Sequence, residues 1–186
     1  MGQLIFLIGM MGSGKSYWGK RLSEAYDCPL VDLDSCIERG EGESISSLFE
    51  RRGEAVFRAL EGSYLRILLD KEGPLVVSTG GGTPCFFDNM SFMNRHGRTV
   101  WLDVSPGILA QRLVADGNSR PLLSGVGEGQ LLSFLENKLE ERAFWYSQSD
   151  VRLAWDAVGG EDAFWAALSL AVFPALSSSV PGRASY

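Results

Sequence analysis

Along this chain, apolar residues fall in short unbroken runs that alternate with longer stretches where they recur every three or four positions. Short unbroken runs suit strands buried on both faces, and the periodic stretches suit helices with one buried side. The runs predict strands over 3–8, 30–33, 75–78, 99–102 and 151–153. Helices are expected over 15–26, 35–39, 46–52, 54–71, 87–95, 106–116, 130–146 and 161–173. Gly40-Glu41-Gly42 separates the second helix from the third, and Val56, Leu60, Tyr64, Ile67 and Leu68 read as the apolar face of the fourth. Ser105-Pro106 reads as an N-cap and first helical residue. His96-Gly97 reads as a helix end, with a histidine favoured by the helix dipole and a glycine just past the cap. This alternation implies right-handed βαβ units and an α/β fold with a doubly wound parallel sheet. Ligands of such sheets sit at the carboxyl ends of the strands.

Between the first strand and the first helix lies Gly9-Met10-Met11-Gly12-Ser13-Gly14-Lys15-Ser16, which fits the phosphate-binding pattern G-x-x-x-x-G-K-[ST]. Glycines let backbone N–H groups converge on an anion, and the helix that follows adds its positive dipole end. Lys15 would place a charge on the β- and γ-phosphates, and the Ser16 hydroxyl would ligate Mg²⁺. The alternative is a glycine-rich turn that binds nothing; strand, loop and helix in the right order argue against it.

The 186 residues fit one domain, expected over 1–173, with a loosely ordered tail over 174–186. The net charge of −6 and the lack of a basic stripe argue against binding along a nucleic acid. Cys28, Cys36 and Cys85 show neither a C-x-x-C pair nor an even disulfide framework, so reduced thiols in a cytoplasmic protein are expected. Strand residues begin almost at the first position, so no signal peptide is expected, and no apolar run has membrane-spanning length. The apolar helix over 161–173 is expected to pack on the sheet; a subunit contact would use its Trp165 and Phe173.

Further residues narrow the chemistry. Asp32-Leu33-Asp34 follows the second strand, and a period of two would put both carboxylates on one side of its end. One would hold Mg²⁺ through water and the other would orient an attacking hydroxyl, unless Asp34 merely caps the next helix. Gly80-Gly81-Gly82 after the third strand suggests close backbone approach to a ligand. Arg58, one turn before Glu61, and Arg142 would pass for solvated helical arginines on spacing alone. Residues 117–129 hold four glycines and a proline and read as a mobile lid, within which Arg120-Pro121 could bring an arginine to bound substrate.

Taken together, GMMGSGKS at 9–16, DLD at 32–34, GEAVFR at 53–58, GGG at 80–82, RPLL at 120–123 and ERAFWY at 141–146 resemble the shikimate kinase family, in order and spacing over residues 3–155. That resemblance implies a three-layer αβα fold with a central, mainly five-stranded parallel sheet, like that of nucleoside monophosphate kinases, with a mobile lid. It implies transfer of the ATP γ-phosphoryl group to the 3-hydroxyl of shikimate, with Mg²⁺. Gly12, Ser13, Gly14, Lys15, Ser16 and Tyr17 would bind the nucleotide phosphates, and Asp32 would stand behind the metal with Ser16. Lys15, Asp34 and Arg120 would be catalytic, Arg120 also meeting the nucleotide. Arg58 and Arg142 would clamp the shikimate carboxylate, Asp34 and Gly80 to Gly82 would meet its remaining groups, and Arg112 would stack on adenine. Guanidinium forks suit a planar carboxylate, and a carboxylate acceptor suits vicinal hydroxyls.

The chain departs from that family's pattern in places: Tyr17 replaces a usual threonine, Trp18 a usual aliphatic residue, and the stretch after Leu153 matches the adenine-loop region poorly, so no base contact is expected there. The expected partner is shikimate alone, with no nucleic acid, no membrane and a monomeric chain. A gluconate or nucleoside monophosphate kinase is the nearest alternative, and an ATP sensor without transfer chemistry the more distant one. The paired arginines and the two aspartates favour an acid that also carries hydroxyls.

Overall fold

The computed structural model describes residues 4–116, 123 and 126–177. Strands β1 (Leu4–Ile8), β2 (Leu30–Asp32), β3 (Leu75–Ser78), β4 (Gly97–Asp103) and β5 (Val151–Ala154) form one parallel sheet, ordered β2-β3-β1-β4-β5. Every residue of β1 is buried, as its unbroken apolar sequence requires of a central strand. Burial of each such side chain stabilises the fold by about 1.5–3 kcal/mol, which makes β1 the centre of the core.

Alternation along β1 sorts the two flanking layers. Ile5 and Leu7 pack with Trp18 and Leu22 of α1 (Lys15–Tyr26) and with Phe164, Leu168 and Val172 of α7 (Glu161–Ser177). Leu4, Phe6 and Ile8 pack on the opposite face. There they meet side chains from α2 (Leu33–Glu41), α3 (Ile45–Ile67), α4 (Asn89–His96), α5 (Pro106–Ala115) and α6 (Leu131–Tyr146). The result is the three-layer αβα arrangement the resemblance implied. The bulk of Trp18 has a local explanation: its ring lies 5.0 Å from Phe164 and 6.3 Å from Trp155, and stacks at 6.4 Å on Trp165. The α7 helix runs on to Ser177; the side chain of Phe173 lies outside the described residues.

Some elements differ from the sequence reading. β2 stops at Asp32, whose side chain accepts a hydrogen bond from the Ser35 N–H at 3.2 Å and so caps α2. Leu33 and Asp34 are therefore helical, and the cap is Asp32 rather than Asp34. The two short helices begin two residues and one residue earlier than expected, at Leu33 and Ile45. Gly53, at φ 80°, breaks α3 where the third and fourth expected helices divide. Beyond it the buried face is Phe57, Arg58, Glu61, Leu65 and Leu68, while Val56 is 41% and Ile67 56% exposed. Of the apolar positions expected on one face, Leu68 is buried and Leu60 and Tyr64 pack part-buried against the core, while the inward face also carries the two charges. Gly97 is extended, not left-handed, and opens β4; a Cβ there would stand 2.4 Å from the Leu4 carbonyl oxygen, so strand packing demands the glycine.

Among the described residues the three cysteines are free, and no helix is long and apolar enough to cross a membrane. Burial pushes the Cys85 thiol up to about 11, which keeps it protonated and unreactive near neutral pH.

Candidate active site

The glycine loop after β1 is shaped by backbone demands. Gly9, at φ 139°, has room for no side chain, since a Cβ would stand 2.7 Å from the Leu102 carbonyl oxygen. Gly14, left-handed at φ 90°, caps α1. The loop curls over Lys15, whose Nζ donates to the carbonyls of Gly9 and Met10, both at 2.9 Å. Lys15 Nζ is thereby held against the loop backbone. Ser13 is buried, and its Oγ has no hydrogen-bond partner among the described residues.

Gly12, Gly14, Lys15, Ser16 and Tyr17 line a cavity of about 420 Å³, together with Asp32, Asp34 and Arg112. Ser16 Oγ donates to Asp32 Oδ2 at 2.8 Å and lies 3.3 Å from Ser78 Oγ. Asp32 thus works twice, one oxygen capping α2 and the other holding Ser16. A hydroxyl beside a carboxylate is a hard oxygen donor set that fits Mg²⁺, which commonly takes one or two protein oxygens plus phosphate and water.

A second cavity of about 250 Å³ shares Asp34, Gly80 and Gly81 with the first. Its walls include Arg58, Glu61, Gly82 and Arg142, with Phe49 and Phe57 as apolar surface. Arg58 is 4% exposed and tightly held. Its Nη1 donates to Glu61 Oε2 at 2.6 Å, and its Nε and Nη2 to Glu54 Oε1 at 3.1 and 2.9 Å. Its guanidinium carbon lies 4.5 Å from the Phe86 ring centre. Burial alone would lower the Arg58 pKa, but Glu61 and then Glu54 outweigh it, and the pKa is raised. Glu61, 0% exposed, also accepts from Thr83 Oγ1. Arg142, also buried, donates to Met10 Sδ at 3.6 Å, and Tyr146 donates to the Gly81 carbonyl at 2.5 Å.

These contacts explain the three glycines. A Cβ on Gly80 would stand 2.5 Å from Glu61 Oε1 and 3.0 Å from Asp34 Oδ1. On Gly81 it would stand 3.2 Å from Arg142 Nη1, and on Gly82 2.6 Å from Arg58 Nη1. The sequence reading attributed them to a ligand; the nearer reason is the protein's own charged side chains. Gly82→Ala should therefore displace the Arg58 guanidinium. The expected result is a rise of about tenfold in the KM for a carboxylate acceptor, the loss of roughly one charged hydrogen bond, with the KM for ATP unchanged. Steady-state kinetics with each substrate varied would check it.

At the other end of the first cavity stand Tyr17, Arg112, Trp155 and Glu161. The Arg112 guanidinium carbon lies 4.7 Å from the Trp155 ring centre, and its Nη1 donates to the Gly12 carbonyl at 3.2 Å. Burial lowers its pKa. Tyr17 is 55% exposed and turns its hydroxyl to Glu161 Oε1, which also accepts from Arg21 Nη1 at 3.1 Å. A threonine hydroxyl could not reach so far, so the substitution ties α1 to α7. Arg120, the expected lid arginine, lies outside the described residues, as does most of 117–129.

Sequence reasoning passed over Ser78, Phe49, Phe57 and Trp155, and gave Glu61 only as a surface partner. The spacing of Glu61 from Arg58 was the one available signal.

The sequence model of the family described as shikimate kinase matches residues 11–157. A shikimate kinase of Bacteroides fragilis is 47% identical over 146 residues, covering 78% of this chain and 81% of that protein. One from a Sulfurihydrogenibium species is 41% identical over 152 residues, covering 82% and 87%. The crystal structure of shikimate kinase from Bacteroides thetaiotaomicron superposes with a TM-score of 0.84 at 38% identity, over 92% of this chain and 98% of that one. Shikimate kinase from Acinetobacter baumannii, in complex with shikimate, gives a TM-score of 0.80 at 29% identity, over 97% of each. The chain belongs to the shikimate kinase family.

Proposed function

We infer that this chain is an ATP-dependent shikimate kinase, which moves the γ-phosphoryl group of ATP to the 3-hydroxyl of shikimate. The products are shikimate 3-phosphate and ADP, a step of aromatic amino-acid synthesis towards chorismate. The observation that carries this reading is the pair of adjoining cavities. One is lined by the phosphate loop, the other by two buried arginines, and Asp34, Gly80 and Gly81 belong to both.

Each residue takes a part set by its surroundings. Gly12, Ser13, Gly14 and Lys15 cradle the phosphates, with Tyr17 just behind them. Arg112 presents a flat cation to adenine. Arg58 and Arg142 take the shikimate carboxylate, and Gly80 to Gly82 bring their backbone against the ring. Asp34 holds the 3-hydroxyl where the two cavities meet. The hydroxyl oxygen attacks the γ-phosphorus, the bond to the β,γ-bridging oxygen breaks with its electron pair leaving on ADP, and the hydroxyl proton passes to Asp34. The loose transition state needs positioning and positive charge more than a strong base, so Asp34 need not be unusually basic. Lys15 supplies that charge, and Arg120 adds to it from the lid. Ser16 and Asp32 would hold Mg²⁺, which would supply neutralisation of the phosphate charge when bound. Ser16→Ala should raise the Mg²⁺ concentration for half-maximal rate by about tenfold, the loss of roughly one ligand bond; a magnesium titration of the rate checks it. A monomeric cytoplasmic enzyme with no nucleic-acid or membrane partner completes the reading; the net charge of −6 supports the first exclusion.

The test is a coupled ADP-release assay with shikimate, gluconate, several nucleoside monophosphates and water as acceptors. Release that depends on shikimate alone supports the reading. Release with gluconate or a monophosphate instead reassigns the acceptor, and nucleotide binding without release favours a sensor.

A further inference from the structure

Glu161 lies beyond the residues that match the family's sequence model, 11–157, yet it lines the cavity that contains Lys15 and Ser16. Its Oε1 takes both the Tyr17 hydroxyl and Arg21 Nη1, which fixes the carboxylate in place. Its Oε2 carries no hydrogen bond among the described residues. Arg21 is itself held flat, its guanidinium carbon 4.6 Å from the Trp165 ring centre. The carboxylate also sits in the first turn of α7, where the helix dipole favours negative charge.

The rest of the cavity lining says what this oxygen would meet. On that reading Lys15 and the loop glycines take phosphate, Asp32 is paired with Ser16, and Asp34 lies where the acceptor cavity adjoins. The rest of the lining includes flat surface from Arg112 and Trp155, with the Glu161 and Asp116 carboxylates. A nucleoside presents a matching pair of features, a flat base and a vicinal diol. Of the two carboxylates, only Glu161 is oriented by side-chain hydrogen bonds among the described residues. We propose that Glu161 recognises the ribose of the bound nucleotide, with Oε2 accepting from the 2′- and 3′-hydroxyls. This rests on the reading of the first cavity as the nucleotide site.

The test measures the affinity of ADP, 2′-deoxyADP and 3′-deoxyADP by titration calorimetry, for the wild-type protein, Glu161→Ala and Glu161→Gln. The wild type should favour ADP over the weaker deoxy analogue by roughly tenfold, the value of one charge-assisted hydrogen bond. Glu161→Ala should bring all three affinities within about twofold, and Glu161→Gln should retain part of the preference through its amide oxygen. A residue that merely ties α7 to α1 would weaken all three nucleotides equally. An unchanged ratio in Glu161→Ala, or a wild type with no preference, overturns the proposal while leaving the kinase reading intact. Failure of every nucleotide to bind would overturn the nucleotide site itself.

Discussion

Replacing Lys15 with alanine is expected to lower shikimate-dependent ADP release by about 10³-fold, the scale of removing one preorganised charge from a transition state. The ammonium group is buried and held on two loop carbonyls beside the first cavity. Its charge matters most while negative charge spreads over the transferring phosphoryl oxygens, and kcat should fall further than ADP affinity. A coupled assay gives kcat and calorimetry gives the ADP affinity. A variant that keeps the parent kcat would remove Lys15 from the chemistry.

Arg58→Ala should have two separable effects. The first is on the acceptor: loss of a buried guanidinium should raise the shikimate KM by about a hundredfold, with ATP affinity little changed. The second is on stability. Arg58 is the sole cation paired with Glu61 among the described residues, and Glu61 is wholly buried. Removing one member of a buried pair typically costs about 3–5 kcal/mol, because the other charge is left uncompensated. For a chain of this size the melting temperature should fall on the order of 10 °C. Glu54 is half exposed and adds little to either effect. The double variant Arg58→Ala with Glu61→Gln removes the stranded charge, so it should regain much of the melting temperature and none of the shikimate affinity. Thermal unfolding beside acceptor kinetics checks both. If the double variant regained affinity, the arginine would be structural only.

How far the chain could be read in advance depended on the physics that governs each part. β1 and its loop were legible because a strand buried on both faces is apolar throughout and a phosphate cradle needs glycine at fixed places. The layers followed from alternating strands and helices. The face of α3 was legible only in part: Leu60, Tyr64 and Leu68 do pack on the core, but periodicity finds apolar stripes, and here Arg58 and Glu61 share the buried side. Asp34 reached the expected cavity by a different route, from a helix's first turn rather than a strand end, because Asp32 caps that helix. The three glycines signalled close approach, but which groups approach is a matter of tertiary distance. Tyr17 and Trp18 looked like anomalies until α7 was seen to supply the partners for both.

The acceptor cavity has a simple origin in the chain. Most of its wall, from Asp34 through Ile45 and Phe49 to Arg58 and Glu61, comes from one uninterrupted segment, α2 and α3. The proposed phosphate grip comes from another, the β1 loop and the start of α1. On the proposed reading, most of the acceptor wall and the phosphate grip therefore come from separate stretches, with Gly80 to Gly82 and Arg142 completing the first. Exchanging the first segment between kinases of this architecture could retarget the recipient while the machinery that delivers the phosphoryl group stays whole.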